Sequence, residues 1–167
     1  MASLATARAF LQSGGDPTAQ FQPPPLRIVL RALEAHYHFS TVIGSKISAI
    51  DTIAANYRKA IQVLRSSSQL FVDDTTSQEA LDGTPAHVPF GSGKVNFTPA
   101  FREFDSASGE GFGPKCCAAM VLHEPIHVVD HPQAPFEINH VHEGDATYAS
   151  QPAARQIHNA HSYACFA

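Results

Sequence analysis

His123, Glu124 and His127 form the pattern H-E-x-x-H. On an α-helix, residues four apart lie on one face, so the two imidazoles can converge on one metal ion. Glu124 projects from nearly the same side and can reach a water held by that ion. Neutral imidazole suits zinc, and two histidines leave room for a third protein ligand and for water. The chemistry this spacing points to is metal-assisted hydrolysis with Glu124 as general base. A short pattern also arises by chance, and a chain rich in histidine raises that frequency. The flanks add weight. Ala118 to Leu122 precede the motif and Val128 and Val129 follow it, which predicts a helix buried at both ends with polar groups in the middle. Buried His and Glu are costly unless paired or bound to metal.

Pro125 lies between the two histidines. It has no N–H, and inside a helix its ring clashes with the carbonyl of residue 121, at a cost of ~3 kcal/mol or more. It is harmless in a first helical turn. Either the helix begins just before Pro125 or it is kinked there, and both alternatives bear on how His123 faces His127.

The elements that must position this motif follow from the rest of the chain. Residues 1–25 are rich in Ala, Ser, Gly, Gln and Pro and end in Pro23-Pro24-Pro25. They predict a flexible or extended arm with a short helix at Leu4–Leu11. Residues 26–167 then form a single domain. Leu26, Val29, Leu30 and Leu33 recur at helical spacing, with His36 and His38 marking the end. Ser45–Leu64 is the clearest helix: Ile47, Ile50, Ala54, Tyr57, Ile61 and Leu64 make one stripe, and Ser45 can cap it. His87–Phe90 and Lys94–Phe97 flank Gly91-Ser92-Gly93 and predict a short hairpin. Val95-Asn96-Phe97 is the candidate edge strand to which an extended substrate would add. Phe101–Phe104 is partly helical, and Ser106–Pro114 is a glycine-rich loop without the Gly-Lys-Ser/Thr of a phosphate-binding loop. His131-Pro132 ends the motif helix, Phe136–Val141 is extended, and Gln151–Phe166 closes the chain as a helix. The fold class this predicts is α+β, mainly helical, with a small β-hairpin or sheet beside the motif helix.

A catalytic zinc usually has three protein ligands. The third His of the long metzincin pattern would fall at Gln133, and Asp130 stands where that pattern has Gly, so that class is excluded. The thermolysin-like class wants a Glu on a later helix, whereas Glu137 and Glu143 lie in turn-rich sequence. Asp145-Ala146-Thr147-Tyr148 remains, an Asp with a Tyr three residues on. With H-E-x-x-H upstream and Asn159-Ala160-His161-Ser162-Tyr163 and Phe166 at the end, the chain resembles the aspzincins, the deuterolysin and peptidyl-Lys metalloendopeptidase group. The resemblance covers roughly Val95 to Ala167. It implies a zincin-like fold, with His123, His127 and Asp145 as zinc ligands, Glu124 as base and Tyr148 as an oxyanion donor. The chain departs from the family in several places: His142-Glu143 replace Gly-Thr, Ala149 replaces Gly, and His161 replaces Asp. Glu143 is a rival third ligand and His140 and His142 are lesser ones. His131 is expected behind the ligands or at the surface.

Whole-chain properties bound the function. A chain of 167 residues with 44% hydrophobic content fits one globular domain. A net charge of −4 without a basic run gives no support for nucleic-acid binding. No stretch has the length of a membrane span, and the first ten residues do not read as a secretory signal, although aspzincins are often secreted. Three cysteines are too few for a disulfide framework. Cys116 and Cys117 are adjacent, and either could pair with Cys165, with buried thiols the simpler expectation. Seven of the ten histidines fall between His123 and His161, so metal chemistry belongs to the last third of the chain. The expectation is a zinc-dependent endopeptidase acting on a polypeptide substrate. Its alternatives are a zinc-binding protein without catalysis and a metal-free helical interaction domain.

Overall fold

The computed structural model describes residues 2–19, 22–89, 91–103, 116–130, 141 and 145–166. Helix α1 spans Ala2–Gln12, α2 Pro24–Tyr37 and α3 Lys46–Arg65. Strand β1 (Leu70–Val72), the short helix α4 (Gln78–Leu81), β2 (Ala86–His87), β3 (Val95–Phe97) and α5 (Ala100–Glu103) follow. Helix α6 runs from Cys116 to Asp130, and α7 (Ala153–Gln156) and α8 (Ala160–Phe166) complete the fold. The mainly helical α+β class is as the sequence predicts.

The flexible arm predicted over 1–25 needs correction at both ends. Leu4 and Ala7 of α1 are buried in the main core, and Arg8 makes a two-pronged ion pair with Asp51 of α3 (2.6 and 3.2 Å). Helix α1 joins the core through Leu4 and Ala7, with Phe10 and Leu11 packed against it. Pro24 and Pro25 open α2, since proline's fixed φ suits a first turn. Helix α2 ends at His38, which adopts the left-handed conformation (φ 48°), and a His38 ring nitrogen is hydrogen bonded to the Gln151 carbonyl.

Ser45 caps α3 as expected, its hydroxyl oxygen accepting from the Ser48 amide at 3.2 Å. The buried face is rotated from the predicted stripe. Ala49, Ile50, Ile53, Ala54, Asn56, Tyr57, Ala60 and Val63 are buried, while Ile47, Ile61 and Leu64 are only partly so. Ala49 and Ala60 are among the buried residues of the main core. Tyr163 of α8 is the hub of this core. Its ring meets those of Tyr37 and Tyr57 edge-on, with centroids 5.4 and 5.1 Å away. Its hydroxyl accepts from Asn56 at 2.9 Å and donates to the Ile157 carbonyl at 2.7 Å.

The hairpin forms where it was predicted, Gly91 and Gly93 taking the positive φ that its turn needs. Its role differs. Sheet order is β1-β3-β2, with β1 parallel and β2 antiparallel to β3. Val95-Asn96-Phe97 is therefore the central strand, and strand addition by a substrate at β3 is ruled out. The sequence cannot reveal this, because the β1–β3 pairing is non-local. A second apolar cluster of Val63, Val88 and Val95 lies under the sheet, with Val128 and Val129 of α6 packed against it.

The closing helix is two helices. Asn159 interrupts it, its side-chain oxygen accepting from the His161 amide at 3.1 Å and starting α8 afresh. Among the described residues, no helix is long and apolar enough to cross a membrane.

Candidate functional site

Helix α6 packs on α3 and α8. His123, Glu124, Pro125, Ile126 and His127 are all buried, so this part of the helix is covered on every side. The burial pattern is the reverse of the one predicted: Met120, Val121, Leu122, Val128 and Val129 are only partly buried and the motif is the most enclosed part. The motif sits where α6 meets its two neighbours.

Pro125 is the tenth residue of a 15-residue helix, well past the first turn. The chain is helical on both sides of it, and the missing N–H leaves the Val121 carbonyl without its usual helical donor. The histidines keep their common face. His127 Nε2 lies 3.0 Å from His123 Nε2, with the rings edge to face at a centroid distance of 4.8 Å. Two nitrogens bound to one tetrahedral zinc at ~2.0–2.1 Å would stand about 3.3 Å apart. The pair is thus close to the bite of a zinc chelate, and the chemistry of its donors fits that ion.

Glu124 is 5% exposed, and desolvation alone pushes its carboxyl up to about 8. A carboxyl in this condition holds a proton at neutral pH unless a positive charge is brought beside it.

Tyr148 begins a short 3₁₀ turn and is buried. Its hydroxyl lies 3.4 Å from both the His36 carbonyl and Ser162 Oγ. His161 of α8 links it to the motif, its ring centroid lying 5.9 Å from that of Tyr148 and 6.4 Å from that of His123. His161 Nε2 is also 3.3 Å from Cys165 Sγ, and Cys165 carries a thiol. The predicted strand does neighbour the motif helix, although it is central in the sheet: α6 meets both β2 and β3.

The structure therefore brings together His123 and His127, buries Glu124 on the same helix, and links Tyr148 to His123 through His161. It does not bring Asp145 to them. Asp145 is exposed, its backbone carbonyl accepting from the Tyr148 amide at 2.9 Å. Among the described residues, no group of three His, Cys, Asp or Glu side chains converges as a metal site. Glu143, His131, His140 and His142 lie outside the described residues, as do the glycine-rich loop and most of the Phe136–Val141 segment. So do the side chains of Cys116 and Cys117.

The participation of His161 and Cys165 is what sequence reasoning missed. Their signal was present, since they share the i, i+4 spacing of His123 and His127 on another helix. The site has to stand on this geometry, because no family model, curated protein or solved structure matches the chain.

Proposed function

We propose that the chain is a zinc-dependent metallopeptidase of aspzincin-like type. The observation that carries the reading is the 3.0 Å approach of the His123 and His127 Nε2 atoms on a buried helix, on which Glu124 is buried as well. His123 and His127 would hold the metal, and the resemblance supplies Asp145 as third ligand. Zinc bound there supplies Lewis-acid activation of water and of a scissile carbonyl. Glu124 accepts the proton of the attacking water and delivers it to the leaving amine. Its low-dielectric surroundings suit a group that must both take and give a proton near neutral pH. The resemblance gives the Tyr148 hydroxyl the role of oxyanion donor, and its link to His123 through the His161 ring supports that role.

The exposed position of Asp145 favours a second reading, zinc binding without turnover. Native mass spectrometry of wild type, His127→Ala and Asp145→Ala, with hydrolysis of an unfolded protein substrate, separates the two. One zinc per chain, lost in both variants, together with hydrolysis that Glu124→Gln abolishes, is the expected result. Zinc with no hydrolysis establishes the second reading, and a folded wild type without zinc overturns both.

A further inference from the structure

A cavity of about 620 Å³ opens between the loop after α1 and one face of α2, sharing no lining residue with the His123–His127 site. Its size falls within the ~300–1,000 Å³ of small-molecule sites. Arg27 and Arg31, one turn apart on α2, line it together with Lys46 at the start of α3. Neither guanidinium has a hydrogen bond or ion pair among the described residues. The two carboxylates in the wall are already engaged. Glu34 accepts from the Ser40 amide at 2.7 Å and hydroxyl at 2.6 Å. Asp16 accepts from the Thr18 amide at 2.8 Å and hydroxyl at 2.7 Å. Three cations thus face two carboxylates that local donors occupy. Leu30 and Phe39 add an apolar floor, with Lys46 Nζ 5.9 Å from the centre of the Phe39 ring. The Gln22 side chain fixes the loop by donating to the Asp16 carbonyl at 2.8 Å, while its own Oε1 is buried without a hydrogen-bond partner among the described residues.

We propose that this cavity binds a small amphiphilic organic anion, its phosphate or carboxylate head between Arg27 and Arg31 and its apolar body against Leu30 and Phe39. Guanidinium groups suit such a head because each presents a fork of donors to paired anionic oxygens. The floor selects an attached ring or chain over a bare ion.

The test titrates the full chain with phenyl phosphate, inorganic phosphate and phenol by calorimetry. The same titrations are run on Arg27→Gln/Arg31→Gln, whose exposed positions leave the core untouched. Saturable one-to-one binding of phenyl phosphate is expected, weaker by about tenfold or more in the double variant. Inorganic phosphate and phenol should each bind more weakly than the combined molecule. Equal binding by wild type and the double variant, or no saturable binding of phenyl phosphate, overturns the proposal. Inorganic phosphate binding as well as phenyl phosphate overturns the amphiphilic class. Unliganded melting temperatures of both proteins check that the variant is folded.

Discussion

Two buried carboxyl groups lie in different parts of this molecule, and the protein treats them in opposite ways. Asp74, just after β1, is 3% exposed and fully partnered. One oxygen accepts from His87 Nε2 and Asn96 Nδ2 at 3.0 Å each, and the other from the Thr76 and Ser77 amides at 3.2 Å each. His87, then Ser77, hold its pKa well below the usual carboxylate range. Glu124 on α6 is about as enclosed, yet desolvation pushes it up to about 8. A carboxylate whose lone pairs are all met joins strands. A desolvated carboxyl whose pKa is raised is costly to the fold at neutral pH, and such groups concentrate at sites that do chemistry.

Glu124→Gln should give the largest separation between the two. It is expected to lower peptide hydrolysis by about 10²–10⁴-fold, the usual worth of a general base, with zinc content unchanged. Asp74→Asn should leave the rate per folded molecule as it was. Equal losses in the two variants would erase the contrast.

The pH dependence of stability comes next. In metal-free protein, Glu124 has a folded pKa of about 8 against 4.5 unfolded, so the folded state binds the extra proton between these values. Its stability is therefore complete below pH 4.5 and falls as pH rises toward 8, by at most about 5 kcal/mol. Asp74 acts in the other direction. Its folded pKa is depressed, so its contribution is present above 3.8 and is lost as pH falls below that value. Denaturant midpoints of the metal-free protein should peak near pH 4. Glu124→Gln should flatten the upper limb only, and added zinc should shrink it. A curve for Glu124→Gln that matches wild type would show that Glu124 is not the group responsible.

A smaller effect is expected from Asp74→Ala at neutral pH, which removes the partner of His87 and Asn96 in the sheet and of the Thr76 and Ser77 amides before α4. Its melting temperature should fall by several degrees, whereas metal-free Glu124→Gln should hold or gain. The smallest effect belongs to Asn96→Ala, which removes one of the four donors to Asp74. It should destabilise less than Asp74→Ala and raise the acid midpoint slightly. A loss as large as that of Asp74→Ala would mean that Asn96 holds β3 by some means besides this carboxylate.

What the sequence made legible was local. The α3 cap was readable because Ser45 stands immediately before the apolar periodicity, and the hairpin because Gly91 and Gly93 bracket its turn. The i, i+4 histidines were readable despite Pro125. The core role of α1 was not, because Leu4 and Ala7 carry little hydrophobic signal without the partners they pack against. The break at Asn159 was hidden because asparagine inside a helical pattern is ambiguous until its side chain is seen capping. The central place of β3 and the contact of His161 with His123 depend on residues far apart in the chain, which no local periodicity encodes. The third ligand stays a matter of resemblance, with Asp145 exposed.

The order of the sheet also has a consequence for how the chain assembles. β2 and β3 are joined by a short turn and can close within microseconds, whereas β1 must reach β3 across the whole of α4 and the hairpin. The hairpin is thus expected to form first, presenting an unpaired edge of β3 until β1 docks. Asp74 lies two residues after β1 and binds side chains from both hairpin strands, so its arrival locks the late strand in register. Until then the free edge of β3 is where two copies of the chain could join, which makes slow refolding at high concentration the condition under which this protein would misassemble.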